Sequence, residues 1–337
     1  MITVFYSSET LEVTKSADVP NIYDYIKRRS WIHLTSPTEE EILKVAEITK
    51  IPDQMIRIPL DEEESAHIDL DDDVMMIVVD MPFLEPEENY PEINKYLTTP
   101  FGILYNEEYF VTTCLKTGSI ITSFAGRWMK NFSTNKHIKL SIQLLYRNAS
   151  TYVSLLKLLD KDSEFVQKKL HESLKNKELF QLMSLGKSLV YLSTGANSDG
   201  LVLEKLKRLE QFRKYDEDLE LIEDAIIENR QAMEMCTIHR DILNGTMDAF
   251  ASVISNNVNT VMKTLTVVTI VLTIPTLIAS FFGMNVKVPW EGNTVGFWLA
   301  IAISIIISFF SALFLIKYTS KVKDSKKNYR RKRRIKK

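Results

Sequence analysis

Cysteine, glycine and histidine are all scarce in this 337-residue chain, and each shortage removes a class of function. Two cysteines, Cys114 and Cys236, build neither a disulfide scaffold nor a multi-cysteine zinc module. The five histidines form no H-x-x-H or H-E-x-x-H pair, which disfavours a zinc hydrolase. Among ten glycines there is no G-x-G-x-x-G and no G-K-S/T phosphate loop. The N-terminus, MITVFYSSETLEV, lacks a basic region followed by a long apolar stretch, so no signal peptide is expected. No internal repeat and no catalytic constellation emerge. An enzyme is the least favoured reading, and no catalytic cofactor is called for.

Net charge also looks absent, at −2, but it is a balance of opposites. From Lys317 to Lys337 there are twelve Lys/Arg against Asp324 alone. Residues 263–337 carry about +12 and residues 1–262 about −14.

Long hydrophobic runs are confined to the C-terminal part. Leu265–Phe282 is uncharged over 18 residues and Thr294–Ile316 over 23. A helix needs about 20 apolar residues to cross a bilayer, so both are candidate spans. Pro275 inside the first is tolerable where neighbouring helices pack. The basic tail places the C-terminus in the cytoplasm by the positive-inside bias, and two spans return the N-terminus to the same side. The expectation is a multi-pass protein of the plasma membrane with both termini cytoplasmic.

Proline divides the remainder. Eight of the ten fall at or before Pro100, and the next is Pro275. Residues 1–135 read as a cytosolic α/β domain with strands at Ile2–Ser7, Trp31–Leu34, Val74–Asp80, Phe101–Leu104 and Tyr109–Cys114. Thr38 followed by Glu41 has the form of a capping box opening a helix to Thr49. Residues 136–262 read as long proline-free helices and a stalk, with Ser193–Gly200 as the one plausible break. Transmembrane helices at 263–283 and 294–316, an external loop at 284–293 and a basic tail at 317–337 complete an α+β membrane protein. From Asp216 to Phe282 no strong stop signal appears, which predicts a helix on the order of 100 Å long.

That helix carries a polar row. Alternating steps of four and three from Asp241 reach Gly245, Asp248, Ser252, Ser255, Asn259, Met262, Thr266, Thr269, Thr273, Thr276, Ser280 and Gly283. This is the seam of helices supercoiled about an axis, normally filled by Leu, Ile or Val. Here every member but Met262 is small or polar. Close packing of membrane helices explains such residues as well as a hydrated pore does. Continuation of the row into Asn259, Asp248 and Asp241, possible axial acids, tilts the reading toward a cation pathway.

Directly after the first span stands Gly283-Met284-Asn285. A Gly-Met-Asn tripeptide at the outer end of the penultimate membrane helix, followed by a short loop, a last helix and a basic tail, resembles the CorA family of divalent-cation channels. Pro275–Ser280 and Ser255–Lys263 are similar to the family's sequences at the same places. The resemblance implies a homopentamer whose first spans surround the pore, transporting Mg2+ and, in the same class, cobalt. It also implies a selectivity filter of Gly283, Met284 and Asn285. Magnesium gives up water reluctantly, so a ring of neutral amide acceptors suits its hydrated form. Gly283 is expected to end the helix in a left-handed conformation. Asn259 is expected as a second ring, Met262 and Leu265 as a hydrophobic neck, and Thr266, Thr269, Thr273, Thr276 and Ser280 as pore lining.

The loop departs from the family's usual sequence, leaving Glu291 as its only acid beside an unhelpful Lys287. Retention of the Met favours magnesium over zinc. Asp224 falls where the family has an interface-sensing aspartate, so a regulatory cytosolic Mg2+ site is expected there, completed by Asp71, Asp72 or Asp73 of an adjacent subunit. The acid clusters otherwise read as solvated faces. The tail suits anionic lipid better than nucleic acid. Two rival readings remain: a transporter of Co2+, Ni2+ or Zn2+, with or without proton coupling, and a membrane-anchored scaffold or sensor without transport.

Overall fold

The computed structural model describes residues 1–7, 11–71, 73–116, 118, 120–121, 133–173, 176–284 and 294–335. The cytosolic sheet follows from alternation with both faces covered. Strand β5 (Val74–Pro86) sends Val74, Met76 and Val78 into one buried cluster and Met75, Ile77, Val79 and Met81 into another. A period of two requires this where a sheet is buried on both sides, and it makes the strand read as one continuous apolar run. The same division runs through β1 (Ile2–Ser7), β3 (Trp31–Thr35), β6 (Asn94–Tyr105) and β7 (Phe110–Cys114). Val4, Ile32, Leu104 and Val111 face one cluster, and Phe5, Trp31, Ile103 and Phe110 the other.

With β2 (Leu11–Lys15) and β4 (His67–Asp71) these strands form a seven-stranded sheet of order β2-β1-β3-β7-β6-β5-β4. The β3–β7 pair is parallel and the other pairs are antiparallel. The five anticipated strands are present, although β5 runs six residues past Asp80 and Phe101–Leu104 is only the end of β6. The two unanticipated strands are the sheet's edges. In β4 the residues are half-exposed or exposed and two of five are acids, so no apolar signal marks it. Charge on an edge strand discourages pairing with other chains.

Helix α1 (Glu39–Thr49) opens on the capping box expected of it. Thr38 Oγ1 accepts from the Glu41 backbone at 3.3 Å, and Glu41 Oε2 accepts from the Thr38 backbone at 2.9 Å. Its Ile42 and Val45, with Met55 and Ile56 of α2 (Asp53–Arg57), cover one face of the sheet. The other face is covered by α3 (His137–Ser173), α4 (Asn176–Arg208) and the start of α5 (Asp216–Phe282), through Leu140, Leu144, Leu203, Leu206 and Ile222.

Ser193–Gly200 is not a break: α4 runs through it. Its small residues serve close approach. A Cβ on Gly195 would lie 2.3 Å from Tyr152 Oη and 2.9 Å from Asp80 Cβ, and one on Gly200 3.0 Å from Asn229 Nδ2. The chain is interrupted instead at Leu209–Tyr215, where a 3-10 turn spans Glu210–Arg213.

Two compact units result, Met1–Met247 and Asp248–Lys337. Helix α5 is unbroken over 67 residues with Pro275 inside it, as its lack of stop signals predicts. In the second unit the span Val295–Leu315 belongs to α6 (Thr294–Ile335), which continues into the basic segment.

The packing at Gly195 yields a paired expectation. Gly195→Val forces side chain into Tyr152 and β5 and destabilises the chain by about 1–3 kcal/mol. Gly186, whose Cβ would meet nothing within 4 Å, tolerates Ala with a gain of about 0.5–1 kcal/mol. Thermal unfolding of the purified variants checks both: the first midpoint falls, the second rises.

Candidate functional site

The polar row of α5 lies on one exposed line of the helix. Asp241, Asp248, Asn259, Thr266, Thr269, Thr273, Thr276 and Ser280 are all exposed. Met262 and Leu265, large and apolar and expected as the neck, are 56% and 57% exposed, so among the described residues nothing within a single chain covers them. Val267, Val271, Ile274 and Ile278 form a different, half-buried line of the same helix. On α6 the covered positions are small: Gly296, Ser304 and Ser308 are buried, four or eight residues apart. Small residues at that spacing permit close helix approach in a membrane.

The threonine hydroxyls have a defined polarity. Thr266 Oγ1 donates to the Met262 carbonyl at 2.8 Å, Thr269 to Leu265 at 2.8 Å, Thr273 to Thr269 at 2.8 Å and Thr276 to Leu272 at 3.0 Å. A hydroxyl has one proton and two lone pairs. With the proton committed to the carbonyl four residues back, the hydroxyl presents acceptors outward. Four such positions, spaced three or four residues apart, make a track of oxygen acceptors along an otherwise apolar helix.

The C-terminal end of the helix is tightly bonded. Gly283 N donates to the Ala279 carbonyl at 2.9 Å and Met284 N to Phe281 at 3.4 Å. Gly283 does not take the expected left-handed conformation. Its amide still makes the helical bond, and a Cβ there would lie 3.3 Å from the Ala279 carbonyl oxygen. Met284 is exposed. Asn285, Lys287 and Glu291 lie outside the described residues.

The cytosolic acids are dispersed. Asp224 is exposed on α5; Asp71 ends β4, and Asp73 lies in the turn that pairs Asp71 with Val74, both exposed. Asp72 lies outside the described residues. Among the described residues no three His, Cys, Asp or Glu side chains gather to hold a metal within one chain. Asp241 has only Arg240 beside it, at 4.0 Å.

A buried carboxylate escaped the sequence reading. Asp199 of α4, 2% exposed, accepts from the Asp80 backbone N–H at 2.7 Å and from Asn148 Nδ2 at 2.8 Å, while Tyr152 Oη donates to the Asp80 carbonyl at 3.0 Å. Burial pushes the Asp199 carboxyl well above the usual range, with Asp80 nearby adding to the effect, and burial raises Asp80 to about 6. These bonds tie α3 and α4 to the middle of β5. The signal for them was an acid inside an apolar run (VVDMPF), which reads from sequence as a strand terminus.

An unbroken helix through an apolar span, a second apolar helix with a basic end and a mixed N-terminal sheet give a two-span membrane architecture. The CorA-like Mg2+ transporter model matches residues 27–317, and the chain belongs to that family. The cobalt/magnesium transport protein CorA of Methanocaldococcus jannaschii is 29% identical over 319 residues, covering 91% of this chain and 96% of that protein. The complete structure of the M. jannaschii CorA magnesium transporter superposes with a TM-score of 0.76 at 24% identity, over 93% of this chain and 96% of that one. Full-length CmaX shares the fold at 14% identity, with a TM-score of 0.66 over 93% of this chain and 96% of its own.

The hydroxyl geometry makes a prediction. Thr269→Val and Thr273→Val remove one outward acceptor each and lower cation flux by about fivefold, equivalent to one net hydrogen bond of ~1 kcal/mol. Thr→Ser at the same positions preserves flux. Uptake into liposomes at matched protein density distinguishes the two series; equal flux in Val and Ser variants contradicts a role for the acceptors.

Proposed function

We propose that the chain is a passive channel for hydrated divalent cations, Mg2+ foremost, assembled as a homopentamer with α5 of each subunit around the pore. The observation that carries this reading is the track of outward acceptors on α5, continuous with Asn259, Asp248 and Asp241 on the same row. Back-bonded hydroxyls by themselves suit close helix packing equally; the continuation of the row into Asn259, Asp248 and Asp241 is what favours a cation pathway. A membrane-anchored scaffold or sensor needs no such continuation.

In this reading Asn285, with Gly283 and Met284 behind it, forms the outer filter. Amide oxygens accept hydrogen bonds from the water shell that Mg2+ keeps and release the ion again. Met262 and Leu265 form the neck that closes by dewetting, and Asn259 a second polar ring. Glu291 is the loop's single acid. Residues 1–135 and 136–262 lie in the cytosol, 263–283 and 294–316 span the plasma membrane, 284–293 face outside, and the tail from 317 returns to anionic lipid on the cytosolic side. The alternative reading is a proton-coupled carrier for Co2+, Ni2+ or Zn2+; the cobalt in the M. jannaschii relative's name keeps Co2+ in view.

Regulation follows from the acidic charge of residues 1–262. Carboxylates on adjacent subunits repel, and a divalent cation between them holds a closed arrangement that low cytosolic Mg2+ releases. Asp224 on one subunit and the Asp71–Asp73 turn on the next supply that site.

Two variants test the reading. Asn285→Ala abolishes magnesium uptake into liposomes while assembly stays intact; wild-type uptake at equal abundance removes Asn285 from the filter. Asp224→Lys mutes the inhibition of current by internal Mg2+ because a fixed positive charge holds the interface, whereas Asp224→Ala leaves current less inhibited. Patch recordings across internal Mg2+ read both, and inhibition curves identical to wild type exclude Asp224.

A further inference from the structure

Helix α4 and the first part of α5 pack antiparallel within the chain, and their seam is closed. Asn229 Nδ2 donates to the Ala196 carbonyl at 2.8 Å, Lys207 pairs with Glu223 at 2.8 Å, and Arg230 with Glu204 at 3.9 Å. At about 100° per residue, Leu201, Lys205 and Arg208 share a face of α4 turned off this seam. Glu220, Asp224 and Ile227 share a face of α5 turned off it on the other side. All six are exposed, Leu201 to 69% and Ile227 to 61%. None of the four charged groups has an ion-pair partner among the described residues.

The two faces match in order. Each advances by four residues and then three; α4 reads apolar, basic, basic, and α5 reads acidic, acidic, apolar. Laid antiparallel, Leu201 comes opposite Ile227, Lys205 opposite Asp224 and Arg208 opposite Glu220. Laid parallel, Leu201 would meet a carboxylate and Arg208 an isoleucine. About three turns farther on, Tyr191 and Ile238, both exposed, come level in the same antiparallel register. Within one chain the faces point apart, so the complement of each is a second copy. A ring is built from such heterologous contacts, and rotation about its axis moves no copy along that axis. For helices standing along the axis, the neighbour's α5 is therefore at the level of the chain's own, which the Lys207–Glu223 pair fixes. The register that matches the faces differs from that level by at most two residues, about 3 Å of helix rise.

We propose that the Leu201–Lys205–Arg208 face of α4 docks on the Glu220–Asp224–Ile227 face of α5 in an adjacent copy of this chain, a contact that rests on the homo-oligomer proposed above. Lys205 Nζ lies 3.5 Å from the Ile68 carbonyl of β4, the strand that ends at Asp71. The neighbour's Asp224 thus meets a fixed cation beside the Asp71–Asp73 turn. The interface keeps a charge contact of its own when no Mg2+ is bound.

The test is oxidation of purified full-length Leu201→Cys/Ile227→Cys with copper phenanthroline, with light scattering of the unoxidised sample to give its oligomeric state. A disulfide needs Cα atoms within about 7 Å, so it reads the register directly. A ladder of covalently linked subunits is expected on a denaturing gel, absent from either single variant. In the double-cysteine background, Arg208→Glu or Glu220→Arg alone is expected to slow linkage about fivefold, and the two together to restore it. An oligomer that does not link, or whose linkage ignores the charge changes or is not restored by the pair, overturns the docking and leaves the oligomer standing. Linkage through Leu201→Cys alone places α4 against α4 and overturns it too. A monomer by light scattering overturns both the docking and the assembly it rests on.

Discussion

A hydroxyl inside a membrane helix must give its proton to something, and in α5 the recipient is the helix's own backbone. That one constraint orients the rest of the transmembrane chemistry. Thr266, Thr269, Thr273 and Thr276 each bond the carbonyl four residues back, so the helix remains saturated in lipid while its row of oxygens offers only lone pairs. In the proposed channel a cation or its water shell would meet acceptors along this line without stripping any bond from the helix. A Leu or Val seam would associate as well and conduct nothing.

The cytosolic unit applies the opposite solution. There the sheet is buried on both faces, and polar groups survive only inside closed bonding arrangements. Asp199 is held by the Asp80 backbone and Asn148, with Tyr152 on the neighbouring carbonyl, and Gly195 allows α4 to come close enough for this. Breaking such a group's partners costs more than the bonds contribute, which makes the β5–α3–α4 contact rigid.

Much of this was legible in the sequence. The capping box at Thr38–Glu41, the strands with continuous apolar runs, the 67-residue helix and both spans follow from local pattern. Edge strands β2 and β4 were missed because each is five residues long with only two apolar positions set among charged and polar ones. Ser193–Gly200 misled because glycine and small polar residues mean a turn to local reasoning and a close contact to tertiary packing; only Tyr152, Asp80 and Asn229, distant in sequence, decide between them. Gly283 misled as well, since its φ is not positive. The polar row was readable as a period, but the direction of its hydroxyl protons was not. Asp224, Asp71 and Asp73, proposed as regulatory acids, belong to no three-ligand cluster within one chain among the described residues.

The central claim is that divalent cations move passively along the α5 row. Purified full-length protein in liposomes, loaded with a magnesium-sensitive dye and held at equal pH on both sides, tests it directly. The account predicts magnesium entry driven by its own gradient and the membrane potential, unchanged when a proton ionophore is added. Absence of entry, or entry that requires an imposed proton gradient, would contradict it.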